Sequence, residues 1–286
     1  MRENSGATMS LEQLISLAVV QGLTEFLPVS SSGHLILIPA LMEWCDQGIA
    51  TDVMVHMGSL FAVIVYFRRD VWKLIVGFFE IFQGKISYYS WLSLYILFAT
   101  LPAFAFGTLL KLSGLSTALR SVEVVAYGTI LFGIVLYFSD RYGMHFRTIN
   151  NMKFNQAIAI GFAQALALIP GISRSGITIT AARFLGFERS EAARFSFLLG
   201  IPAILAACIF TFLEAWKLGI PIPKDAYWAA FLTFCTALIG ITVLTAIVKH
   251  TSLLVFVVYR IALGFLILIM LYDWFPSVLP SLSHVS

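Results

Sequence analysis

Gln21–His34 reads QGLTEFLPVSSSGH, and Gln164–Ile177 reads QALALIPGISRSGI. Aligned without gaps, the two stretches share Gln21/Gln164, Leu23/Leu166, Ser30/Ser173, Ser32/Ser175 and Gly33/Gly176. Each puts a proline, a serine cluster and ionisable groups into otherwise apolar sequence. A charge at bilayer depth costs roughly 2.5–3.5 kcal/mol or more, so polar groups held there need a function or a partner. Two copies of one polar element in a single chain predict that both loops meet at one site.

The surrounding chain is that of an integral membrane protein. Of its 286 residues, 59% are hydrophobic and 12% charged, and the mean hydropathy is +0.91. This excludes an ordinary soluble domain, and the net charge of +3 gives no reason to expect a nucleic-acid partner. The three cysteines, Cys45, Cys208 and Cys235, have neither even number nor CxxC spacing and read as small apolar packing residues. The polar opening, with Glu12, Gln13, Gln21 and Glu25 following, predicts no cleavable signal peptide.

About 20 apolar residues are needed to cross the hydrocarbon layer. Six runs qualify: Thr51–Phe67, Tyr89–Leu110, Val122–Ser139, Phe195–Leu213, Tyr227–Val248 and Leu253–Trp274. Val71–Gln83 carries Lys73 and Glu80 and is expected to lie at the interface as an amphipathic helix. The motif regions differ again. Leu11–Leu27 and Gly33–Trp44 flank Pro28–Ser32, and Asn155–Ile169 and Ser175–Phe187 flank Pro170–Arg174. Each arm is short for a span, and irregular backbone at membrane depth is tolerated only where protein buries it or it lines a wet cavity. The expected form is a re-entrant helix-loop-helix; the alternative is a pair of tilted spans broken by proline.

One hairpin and three crossings per half, over about 11–141 and 154–275, would give the halves opposite orientations. The expected fold class is therefore an all-α membrane protein with an inverted-topology repeat. Weaker echoes agree: Met57-Gly58-Ser59 with Leu199-Gly200-Ile201, and Leu131-Phe132-Gly133 with Ala262-Leu263-Gly264. The cations orient the chain. Arg68, Arg69, Lys73, Lys85, Arg141, Arg147, Lys153, Arg183, Arg189, Arg194 and Lys249 fall on one face, against Arg2, Lys111, Arg120, Lys217 and Lys224 on the other. The positive-inside rule makes the first face cytoplasmic and puts both termini and the opening of the first hairpin outside.

Gln21 and Glu25 share a helix face. A carboxylate and an amide oxygen so placed suit a hard divalent cation, Mg²⁺ or Ca²⁺, completed by water and substrate oxygens; an interhelical hydrogen bond and a capping glutamate are the plainer alternative. Ser30, Ser31 and Ser32 precede Gly33 and a helical run, so they could simply cap it, while free amides at a helix start also attract anions. His34 comes three residues after Ser31, within reach of a hydroxyl whose proton it could accept during attack on phosphorus. Ser173-Arg174-Ser175-Gly176 repeats the pattern with an arginine suited to bidentate phosphate contact, and Thr178 could add a donor. His56 is explained equally by one helical contact. Glu123 and Arg260 are expected to snorkel or pair near span ends, and His145, His250 and His284 fall in loops or tail.

QGLTEFLPVSSSGH together with PGISRSGIT resembles the bacitracin-resistance type of undecaprenyl-diphosphate phosphatase, across about Leu11 to Trp274. The resemblance implies a bacterial inner-membrane enzyme with an inverted repeat, two re-entrant hairpins and a site open to the periplasm. Such an enzyme removes the terminal phosphate of a C55 polyprenyl diphosphate, recycling the lipid carrier of peptidoglycan, with bacitracin resistance and a homodimer as further possibilities. Carried onto matching positions, the acidic motif gives Gln21 and Glu25, the serine-histidine loop gives Ser30, Ser31, Ser32 and His34, and the second loop gives Pro170, Gly171, Ser173, Arg174, Ser175 and Thr178. The first acidic position is Glu in some members; Gln21 supplies no charge, which leaves metal binding mainly to Glu25 and the diphosphate. The residue reading keeps two routes open, attack by Ser31 with His34 as base or a water activated by His34. It also keeps two rivals: a transporter, and a non-catalytic lipid-binding scaffold.

Overall fold

The computed structural model of the protein describes residues 10–42, 44, 48–115, 119, 121–143 and 146–272, with the side chains of residues 32, 36 and 39–41 outside that description. Arg2, Cys45, Arg120, His145, His284, Trp274 and the Ser32 hydroxyl therefore lie beyond it. Among the described residues are eleven α-helices, one 3-10 turn and no strand.

The first motif falls where one helix is broken. Helix α1, Leu11–Phe26, is started by Ser10, whose hydroxyl accepts from the Gln13 amide. Its end is set by Pro28, which disfavours helical backbone at Leu27; that residue is extended, at φ −71° and ψ 144°. The chain turns through Ser30, at φ +72° the only non-glycine among the described residues in the left-handed region, and restarts as α2, Ser31–Leu41. α3 (Ile49–Tyr66), α4 (Arg68–Phe82), α5 (Tyr88–Leu112) and α6 (Val122–Tyr142) complete the first half.

The second half repeats the plan. α7, Phe154–Leu166, stops before Pro170, Gly171 turns at φ +88°, and α8, Arg174–Phe184, begins behind a Ser173 hydroxyl that accepts from the Gly176 amide. α9 (Arg189–Lys217), α10 (Lys224–His250) and α11 (Leu254–Leu271) follow.

Six helices are long and apolar enough to cross a membrane: α3, α5, α6, α9, α10 and α11. These are the six expected runs, with ends moved by a few residues. This is a multi-pass membrane protein. The four motif helices are shorter; at 16 residues α1 measures about 24 Å, less than the roughly 30 Å hydrocarbon layer. α4 falls where an interfacial helix was expected. It leaves Trp72, Ile75, Val76, Phe79 and Phe82 exposed along its apolar side and presses Gly77 against the Tyr89 and Ser90 backbone.

Packing partners are exchanged between the halves. α1 and α3 lie against α10, α7 lies against α5, α3 meets α9, and α6 meets α11. Small residues allow the close approaches, as expected where lipid removes any hydrophobic drive between helices. A Cβ at Gly22 would sit 2.7 Å from the Thr233 carbonyl oxygen, one at Gly58 would overlap that of Ala230, and one at Gly161 that of Ala99. Phe26, at the end of α1, packs edge-on to Phe197 of α9 in the main core.

One group of charges ties helices together. Arg183, counted among the cations of the cytoplasmic face, is 1% exposed and donates to Asp140 Oδ1 at 3.1 Å and to the Phe187 carbonyl. Asp140 also receives Arg189 at 2.7 Å and 3.0 Å and the Leu253 amide at 3.1 Å. One carboxylate thus ties α6, α8, α9 and the start of α11. Nearby, Arg194 pairs with Asp70 at the start of α4.

Candidate active site

The two breaks meet. Ser175 Oγ donates to the Leu27 carbonyl at 2.9 Å and Ser173 Oγ to the same oxygen at 3.5 Å, so the second serine loop is fastened to the backbone of the first. Helical spacing puts Gln21 and Glu25 side by side on α1, both buried. Glu25 is the hub. Its Oε2 accepts from Gln21 Nε2 and from Ser31 Oγ, each at 3.1 Å, and its Oε1 accepts from Arg174 Nη2 at 3.3 Å.

Arg174 begins α8 and reaches across to Glu25 while its Nη1 donates to the Ser196 carbonyl of α9 at 3.3 Å. Its path runs over Gly200, where any Cβ would overlap the guanidinium. The fork therefore lies in the space a side chain would occupy, with Nε buried and unpartnered. Thr178 is fully buried. It donates to helix carbonyls of Arg174 and Ser175, and its oxygen lies 2.7 Å from the Ser196 hydroxyl. Gly176 packs under the first turn of α8, and Gly33 lies against Val125 and Ser30.

His34 is placed differently from expectation. Its Nδ1 lies 2.7 Å from the Ser30 carbonyl, an acceptor, so Nδ1 carries the proton in that contact; Nε2 lies 2.6 Å from the Tyr259 hydroxyl of α11, which donates to it. Neither nitrogen meets Ser31. The group in contact with the Ser31 hydroxyl is Glu25.

Arg260 is the second departure. It does not snorkel and has no carboxylate. Fully buried, it donates to the carbonyls of Thr129 at 3.1 Å, Gly128 at 3.5 Å and Gly171 at 3.1 Å, and its Nη1 has no partner. Glu123 is exposed in the first turn of α6, and His56 makes the single local contact expected of it, Nδ1 to the Asp52 carbonyl.

The donor set bears on a cation. Gln21 Oε1 is buried and has no partner, beside the Glu25 carboxylate. Two hard oxygens fit a divalent ion whose remaining ligands come from phosphate, and no group of three His, Cys, Asp or Glu able to hold a metal occurs among the described residues.

A serine, a carboxylate on its hydroxyl and an arginine on that carboxylate, drawn from two proline-broken helix pairs, meet here in one cluster. A family profile described as bacitracin resistance protein BacA matches residues 14–266. The chain belongs to this family. It is similar to proteins named undecaprenyl-diphosphatase from Dinoroseobacter shibae and Roseobacter denitrificans, each 44% identical over 93% of this chain and 100% of the relative. A third of that name, from Erythrobacter litoralis, is 42% identical over 90% of this chain and 98% of its own length. Every residue of the BacA site described above lies within the matched range.

Sequence reasoning missed Ser196, Gly200 and Tyr259 as site neighbours and left Arg260 outside the site. Gly200 had a signal in its echo of Gly58, and Arg260 had one as a charge inside an apolar run. Ser196 and Tyr259 carry no motif.

Proposed function

We propose that this BacA-family protein hydrolyses undecaprenyl diphosphate to undecaprenyl phosphate and inorganic phosphate. The observation that carries the reading is the chain of contacts Ser31–Glu25–Arg174, a nucleophile, its base and a phosphate-binding cation, in a protein of the bilayer where a polyprenyl tail would remain. The activity named for the relatives is the same.

The chemistry follows from the contacts. The headgroup's terminal phosphate takes the Arg174 fork as a bidentate partner, which releases Glu25 Oε1. Glu25, already accepting from Ser31 Oγ, takes the hydroxyl proton as that oxygen attacks phosphorus. The bridging P–O bond breaks and the lipid monophosphate leaves with the proton that Glu25 passes to it; water then cleaves the phosphoserine, Glu25 taking the water proton and returning it to Ser31 Oγ as inorganic phosphate departs. Arg174 and the amides that begin α8 hold the negative charge of the transition state. His34, fixed through Ser30, holds the corner from which Ser31 projects. Ser30, Ser32 and Gly33 form that corner, and Ser173, Ser175 and Gly176 form its counterpart. A divalent cation on Gln21 and Glu25, Mg²⁺ or Ca²⁺, would neutralise diphosphate charge.

The reading extends to topology. Each half has three crossings and one short broken pair, and the exchange of partners across the halves supports an inverted repeat with re-entrant hairpins. With the cation-rich face cytoplasmic, the first hairpin opens to the periplasm of a bacterial inner membrane and the second to the cytoplasm, and the site they share is reached from the periplasm. There the reaction would return the carrier lipid to peptidoglycan synthesis and would confer the bacitracin resistance for which the family is named.

Purified protein given a C55 diphosphate is expected to release phosphate and to lose that activity with a chelator. Ser31→Ala and Arg174→Ala should each lower turnover by about 100-fold or more. Turnover by Ser31→Ala at the wild-type rate would eliminate the phosphoserine in favour of direct attack by water. Lipid crossing in proteoliposomes without phosphate release would make the protein a transporter instead.

A further inference from the structure

Both loops turn through a left-handed corner, Ser30 at φ +72° and Gly171 at φ +88°. In each, the carbonyl of that corner residue is held by a side chain. The Ser30 oxygen accepts from His34 Nδ1 at 2.7 Å, and His34 is itself fixed by the Tyr259 hydroxyl at 2.6 Å. The Gly171 oxygen accepts from Arg260 Nη2 at 3.1 Å and from the Thr129 hydroxyl at 3.4 Å. Tyr259 and Arg260 are consecutive residues of α11.

The two corners need holding for different reasons. Ser30 is a serine in a conformation that L side chains rarely adopt, and no side chain caps the helix that starts after it. Gly171 is jammed against α6, where a Cβ would overlap the Val125 carbonyl oxygen. Arg260 is a fully buried cation with no carboxylate partner among the described residues, an arrangement that is costly in a protein interior and calls for a compensating role. Its guanidinium sits under the first turn of α8, where a Cβ on Gly176 would be 2.8 Å from Nη1.

We infer that Tyr259 and Arg260 are a pair of positioning residues that hold the two reacting loops in register from a single point on α11. Tyr259 acts through His34 on the Ser30 corner and so on Ser31. Arg260 acts through Gly171 on the loop that presents Arg174. Because the two are adjacent on a helix, the corners share one support, and a change at either is felt at Ser31 and Arg174 together. The inference rests on the phosphatase reading for its kinetic consequences and on the structure alone for the state of His34.

The decisive variant is Tyr259→Phe, which removes one hydroxyl from a residue that is 45% exposed. In phosphate release from a C55 diphosphate, kcat is expected to fall about tenfold while KM and thermal stability stay at wild-type values, the mark of a group acting on geometry rather than binding. Arg260→Lys keeps a charge but not the fork. Its loss combined with Tyr259→Phe should be smaller than the product of the single losses, as for residues sharing one support. Histidine ¹⁵N spectra, with His34 identified by His34→Gln, should show an Nδ1-protonated ring in the wild type and a displaced Nε2 resonance in Tyr259→Phe. Turnover of Tyr259→Phe within twofold of wild type overturns the inference. So does a loss that tracks falling stability, or strict additivity of the two losses. A wild-type protein that releases no phosphate refutes the phosphatase reading instead, and the ¹⁵N comparison then decides the inference: an unchanged Nε2 resonance overturns it.

Discussion

At Glu25, three donors converge on one carboxylate, and its neighbours explain why. Ser31 and Arg174 come from different hairpins, so a single buried group records whether both are in place. Arg174 depends on what is absent as much as on what is present. Gly200→Ala would put a methyl group where the guanidinium lies, and a displacement of about 1 Å at a reacting group can cost about 100-fold in rate. The expected outcome is a loss of that order in kcat with little change in thermal stability, measured by phosphate release and by unfolding in detergent. Gln21, Glu25, Ser31 and Arg174 were legible in sequence because polar and charged groups in apolar surroundings stand out. Ser196, Gly200 and Tyr259 were not. Each acts from a long apolar helix and becomes part of the site only through a contact far away in sequence; a carbonyl and an aromatic hydroxyl leave no pattern, and Gly200 left only its echo of Gly58. His34 was found for the wrong contact, since spacing gave its distance along the helix but not the direction of its ring.

Among helices, hydropathy and proline placed nearly everything. The six helices able to cross a membrane, the breaks at Pro28 and Pro170 and the separate helix α4 all follow from local composition. Which helix lies on which does not, because lipid-facing and helix-facing residues are alike apolar. The glycines carry that information. Gly58 and Gly200, echoes of each other in sequence, serve different ends: the first lets α3 approach the α10 backbone, the second makes room for Arg174. Gly161 sets the contact of α7 with α5. Gly161→Leu is expected to force those helices apart, at about 1–3 kcal/mol or more, seen as a lower unfolding temperature and lower yield of folded protein in detergent.

For the molecule as a whole, charge sets orientation. The eleven cations grouped on one face predict that a reporter fused to the C-terminus is active in the periplasm and silent in the cytoplasm. The same face holds Asp140 with its two arginines and the Leu253 amide. Asp140→Asn would remove the charge that Arg183 and Arg189 share at a buried site, a change of about 3–5 kcal/mol, read as a sharply lower unfolding temperature. Eight residues of α8 lie between Arg174 and Arg183, so this knot stands at the opposite end of that helix from the chemistry. Cells carrying such a lesion would look as if they had lost the enzyme, because few copies would survive assembly. Each survivor, assayed singly, should still turn over at the full rate.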